Sequence, residues 1–91
     1  MPKPFKARYL AALKAFDAAR SAVYAAAPAD NVVLSKCREM ASPDVRAAYD
    51  AAFSDMCTLD YEAEQSGKAY QARDNARSEF YGLATRVVHP A

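Results

Sequence analysis

The sequence predicts an all-α fold, a small antiparallel bundle of three long helices and one short helix in a single domain over 1–91. Three observations predict it. Twenty-two of the 91 residues are alanine, the residue that gives up no side-chain entropy on entering a helix. Large apolar residues recur at steps of three and four, the spacing of one helical face. Pro28 and Pro43 fall between the periodic segments rather than inside them.

The first helix is expected over about 4–27, where Phe5, Tyr9, Leu13, Phe16, Val23 and Ala27 share one stripe. Pro28 ends it, because the residue before a proline avoids the α region. Asp30 suits the N-cap of a short second helix over about 31–41, with Val33, Cys37 and Met40 on one side. Ser42-Pro43-Asp44 is the clearest start signal in the chain: serine caps, proline fits the first helical position, and the aspartate complements the positive dipole end. From there Val45, Tyr49, Ala52, Met56, Leu59, Ala63 and Ser66 alternate steps of four and three, a seam for another helix, over 43–66. Ser66-Gly67 reads as a C-terminal stop. A fourth helix is expected over about 68–88, presenting Ala69, Ala72, Ala76, Phe80, Leu83 and Val87, and His89-Pro90-Ala91 is expected to fray. The rival is one long helix from Pro43 to Val88 kinked at Gly67, which the change of stripe after Ser66 disfavours. The stretches 16–27 and 73–84 share six of twelve positions, a similarity that a restricted helical alphabet produces more readily than duplication.

Two residues interrupt the apolar pattern. Arg20 falls inside the first stripe and Arg73 borders the fourth. The expectation for both is a packed stem whose guanidinium reaches water or an acid of a neighbouring helix.

Catalytic chemistry is not expected. The single histidine lies third from the end, and no glycine-rich phosphate loop, dinucleotide fingerprint or nucleophile elbow occurs. Cys37 and Cys57 lack metal or redox spacing and are expected as free thiols of a cytoplasmic protein. No metal and no cofactor is expected. The start MPKPFKARY has no signal-peptide pattern, and no apolar run approaches a membrane span.

Charge is segregated although the total is only +1. Residues 1–29 carry +4, residues 30–66 carry −5, and the remainder +2. Five acids and no basic residue lie between Ala47 and Ser66. Beside the seam, a stripe of Arg46, Asp50, Phe53, Cys57, Asp60 and Glu64 with Tyr61 nearby frames an aromatic and a thiol with carboxylates. Asp50, Phe53, Asp60, Tyr61 and Glu64 are therefore the expected partner-binding residues; the alternative is a solvated face whose Phe53 packs on the second helix. Lys3, Lys6, Arg8 and Lys14 form a secondary basic patch. Lys3, Lys6 and Arg8 lie near a positive helix end and Glu62 and Glu64 near a negative one, each opposing the macrodipole. Such placement suggests either selection for binding or pairing between the basic and acidic helices. Six tyrosines and four phenylalanines are more than a small core needs, and exposed tyrosine is a frequent interface anchor.

These features together lead to the expectation of a non-enzymatic binding protein that occupies a surface of a larger protein or nucleoprotein complex. By type alone, small motif-free helical proteins with acidic faces are similar to phage-encoded inhibitors of host defence, anti-CRISPR proteins included; no residue assignment follows from that likeness. The alternatives are direct nucleic-acid binding through the basic first helix, which a sum of +1 disfavours, and a self-assembling structural subunit or homodimer built on alanine seams. No membrane partner is expected.

Overall fold

The computed structural model, which describes residues 3–27 and 31–82, contains four helices, three of them bearing the alanine that favours helix. They are α1 (Phe5–Ala25), α2 (Leu34–Met40), α3 (Pro43–Ala63) and α4 (Gly67–Tyr81). No strand occurs among the described residues, so the all-α class read from composition and periodicity holds.

α1 and α3 are each 21 residues long, about 31 Å at 1.5 Å per residue, and run antiparallel. Arg8 meets Glu62, Tyr9 meets Asp60, and Phe16 meets Tyr49 and Phe53. Along their middle, Ala15, Ala18, Ala19 and Ala22 face Ala48, Ala51 and Ala52 across a shallow trough. α4 lies over the N-terminal half of α1 and the C-terminal half of α3, while α2 lies against α1. α1 thus touches all three other helices.

The seam read from the sequence is the seam that is buried. Ala52, Met56 and Ala63 of α3 are buried, with Val45, Tyr49 and Leu59 half-buried beside them. The main cluster joins Tyr9 and Leu13 of α1, Met56 of α3 and Ala76 of α4, flanked by Phe5, Phe16, Leu59 and Phe80. Val23 and Cys37 are buried outside this cluster.

Local signals explain most boundaries and correct several. Ser42 caps α3 as expected, its Oγ accepting the Val45 amide at 3.3 Å, with Pro43 in the first turn. α3 stops at Ala63 rather than at Ser66, because Ser66 is extended (φ −155°) and caps the next helix, accepting the Ala69 amide at 3.3 Å. Gly67 is accordingly the first residue of α4 and not a C-terminal stop. The left-handed glycine is Gly82 (φ 68°), which ends α4 at Tyr81 and not at 88. α2 begins at Leu34 rather than 31 and has Val33, extended and without a capping side chain, at its start; β-branched Val32 and Val33 resist the helix. The Asp30 cap, Leu83, Val87 and the fraying of 89–91 lie outside the described residues.

Candidate functional site

The middle of α3 projects Phe53 away from the seam, and the site grows from that projection. Phe53 is 52% exposed. Its ring stacks on Tyr49 one turn earlier (centroids 6.3 Å, 17° between planes) and tilts against Phe16 of α1 (6.3 Å, 42°). It therefore leans on α1 and its own helix. Between this aromatic group and α4 opens a cleft of about 440 Å³. Leu13, Phe16, Phe53, Met56, Cys57 and Tyr81 form its apolar walls, and Tyr9, Asp60 and Arg77 its polar edge.

Asp60 is the hub of that edge. It accepts a hydrogen bond from the Tyr9 hydroxyl at 2.6 Å and one from Arg77 Nη2 at 3.4 Å, and Arg73 Nη1 lies 3.7 Å away. Arg77 Nε also donates to the Tyr9 oxygen at 3.2 Å. One carboxylate on α3 thus ties a buried tyrosine of α1 to two guanidinium groups of α4. Tyr9 is wholly buried. Burial first, then the bond to Asp60, pushes its phenol from the ordinary 10.0 to about 12.

Arg73 is the residue whose environment differs most from expectation. Its guanidinium does reach Asp60 of a neighbouring helix, but the residue is only 8% exposed. It lies over the Tyr70 ring at 4.3 Å, its Nε is 3.6 Å from Asp74, and that Nε makes no hydrogen bond. Arg20 pairs with an acid of its own helix rather than of a neighbouring one, Asp17 at 3.3 Å, and covers the Phe16 ring at 5.5 Å.

The acidic stripe is mostly answered from within. Asp50 receives two bonds from Arg38 of α2, which hold its carboxyl below the usual carboxylate range. Glu62 is held low in the same way by a two-bonded Arg8, at 2.7 and 3.3 Å. Asp60 is the hub just described, and Glu64, which follows the last residue of α3, makes no ion pair among the described residues. Tyr61 is 69% exposed. Of the five expected contact residues, Phe53 and Asp60 border one cleft, Asp50 braces α2, and Tyr61 and Glu64 project into solvent.

The basic patch is likewise dispersed. Arg8 is spent on Glu62 and Lys6 on Glu79 of α4 at 2.7 Å. Lys3 joins Arg8 on the opposite flank of the α1/α3 pair, beside Asp55, Thr58 and Leu59. Lys14 is exposed with no ion pair among the described residues. Of the charges that oppose the helix dipoles, Arg8 and Glu62 meet across the antiparallel pair, where the start of α1 lies beside the end of α3.

Sequence reasoning missed Tyr9, Arg77 and Tyr81 as members of the site. Tyr9 stood in the apolar stripe, and its hydroxyl could have been asked for a partner, since a buried tyrosine needs one. Arg77 and Tyr81 carried no signal separable from an ordinary solvated helix. Cys37 is buried and Cys57 exposed, both as free thiols. Among the described residues no three His, Cys, Asp or Glu side chains converge as a metal site, and no helix is long and apolar enough to cross a membrane.

No family model, no curated protein and no solved structure matches this chain. The site must therefore be interpreted from its own chemistry.

Proposed function

We propose that the protein is a non-enzymatic binding protein that occupies a surface of a larger protein or nucleoprotein complex, with the aromatic face of α3 as its contact. The observation that carries this reading is Phe53: a half-exposed ring, backed by Tyr49 and Phe16, on the rim of an apolar cleft. Leaving half of an aromatic ring in water forgoes roughly half of the 1.5–3 kcal/mol that full burial is worth, and interfaces recover that energy through such anchors. Tyr61 and Tyr81 extend the same kind of surface.

The finer version is an inhibitor of the phage type acting in the cytoplasm, anti-CRISPR-like by type alone. Mimicry of nucleic acid by an acidic stripe needs free carboxylates, whereas Asp50, Asp60 and Glu62 each hold an arginine. That favours an aromatic contact over charge mimicry, with Asp50 and Asp60 fixing the face and Glu64 as its free acid. Lys6 and Arg8 are spent in the same manner, which weighs against direct nucleic-acid binding by α1.

The test is capture of partners from host lysate with and without nuclease, using wild type, Phe53→Ala and Glu64→Lys. One stoichiometric protein complex that survives nuclease and is lost with Phe53→Ala is the expected result. Undiminished capture by Phe53→Ala, or loss of all capture on nuclease treatment, overturns the reading; the latter moves the contact to Lys3 and Lys14.

A further inference from the structure

The cleft beside Phe53 has the composition of a ligand site as well as the position of a contact rim. Small-molecule sites are concave, of roughly 300–1,000 Å³, mostly apolar, with a few placed polar groups. This one has about 440 Å³ between Leu13, Phe16, Phe53 and Met56, with its polar atoms confined to one edge.

The chemistry of that edge selects a class of ligand. Arg77 uses Nε on the Tyr9 oxygen and Nη2 on Asp60, and no described residue accepts from its Nη1. The acid that lines the cleft is already answered: Asp60 faces Tyr9, Arg77 and, at 3.7 Å, Arg73, which is itself shared with Asp74. A spare guanidinium donor on Arg77 thus borders an aromatic slot whose carboxylate is occupied, and planar guanidinium donors match the oxygens of an anionic group.

We infer that the cleft between α1, α3 and α4 binds a small amphipathic organic anion, an apolar ring or chain bearing one carboxylate or sulfonate. The apolar body lies among Leu13, Phe16, Phe53 and Met56, and the anionic group faces Arg77. This goes beyond the binding-protein reading and does not rest on it.

The probe is anilinonaphthalene sulfonate, with N-phenylnaphthylamine as the same ring system without the charge. Both become fluorescent in apolar surroundings. The expected result is saturable one-to-one binding, with the sulfonate about fivefold tighter than the neutral compound, the order of one half-exposed charge pair. Cys57 lines the cleft and is exposed, whereas Cys37 is buried. Saturating sulfonate should therefore slow alkylation of Cys57 by iodoacetamide, which locates the probe. Arg77→Gln should abolish the preference for the anion. Because that change also loosens the Asp60 hub, Phe53→Ala, at a half-exposed wall of the cleft, is the second variant and should weaken binding of both compounds with the fold intact. Equal affinity for the two compounds in wild type, or Cys57 alkylation unaffected by bound sulfonate, overturns the inference.

Discussion

Replacing Tyr9 by Phe removes one oxygen atom from the centre of the α1/α3/α4 junction and leaves the ring in place. The ring is wholly buried, so the apolar packing with Leu13, Met56 and Ala76 is retained. Two hydrogen bonds are lost, the donation to Asp60 at 2.6 Å and the acceptance from Arg77 at 3.2 Å. Bonds to charged groups contribute about 1.5–3 kcal/mol each. Asp60 and Arg77 are both partly open to water and can replace part of what they lose, at side-chain exposures of 35% and 42%. The expected cost is therefore near the lower bound for one bond, about 1.5 kcal/mol. For a domain of this size that lowers Tm by roughly 6–12 °C. Urea unfolding followed by helical circular dichroism reads it as a shifted midpoint at unchanged slope. A second signature is specific to the hydroxyl. The phenol titrates near 12 in the folded protein against 10.0 when free, so its contribution is fully present below pH 10 and is lost as pH rises toward 12. The alkaline fall in stability should thus be shallower in Tyr9→Phe than in wild type. A destabilisation below about 0.5 kcal/mol, within the range of ordinary surface substitutions, with an unchanged alkaline limb, would refute the hub.

Three further outcomes follow from the same contacts. Asp60→Ala strands the nearly buried Arg73 beside a half-buried Asp74 and should cost about 3 kcal/mol, whereas Arg73→Met, of similar length, should fall within about 1 kcal/mol of wild type; chemical denaturation of the pair checks the asymmetry. Asp50 and Glu62 are both held below their ordinary values of 3.8 and 4.5, so their ion pairs support the fold above those values and fail as pH falls through the lowered ones; Asp50→Asn combined with Glu62→Gln should flatten the acid limb of Tm against pH, and added salt should mimic part of the effect. Ser42→Ala removes the cap on α3 and should cost about 1 kcal/mol, read as a midpoint shift with the fold unchanged.

The helices were legible because their signal is redundant. Every turn of α3 repeats the seam, so Ala52, Met56 and Ala63 could be placed inside without knowing their partners. Boundaries rest on single residues and were less legible. Ser66 serves equally as the last residue of one helix or the cap of the next, and only the bond to the Ala69 amide decides. The same holds for the two glycines: Gly67 opens a helix and Gly82 closes one, and composition does not distinguish them. The candidate site was half legible. Phe53 stood out among acids, but the fate of those acids depends on Arg38, Arg8 and Arg77, three residues that come near only after the chain has doubled back. Pairing between the basic and acidic helices was foreseen as one of two meanings of the opposed dipole charges, and Arg8 with Glu62 is that pairing.

That α1 touches every other helix has a consequence for the order of events during synthesis. Of the four described helices α1 is synthesised before the three that rest on it, and its bonds reach across 54 residues to Glu62 and 68 to Arg77. While only α1 and α2 have emerged, Phe5, Tyr9, Leu13 and Phe16 lack their partners on α3 and α4, and contacts of such sequence separation are the slow ones to form. Nascent chains expose apolar surface in proportion to that delay. The cluster around Tyr9 must await α4, so this part of the fold is completed from α4 back to α1.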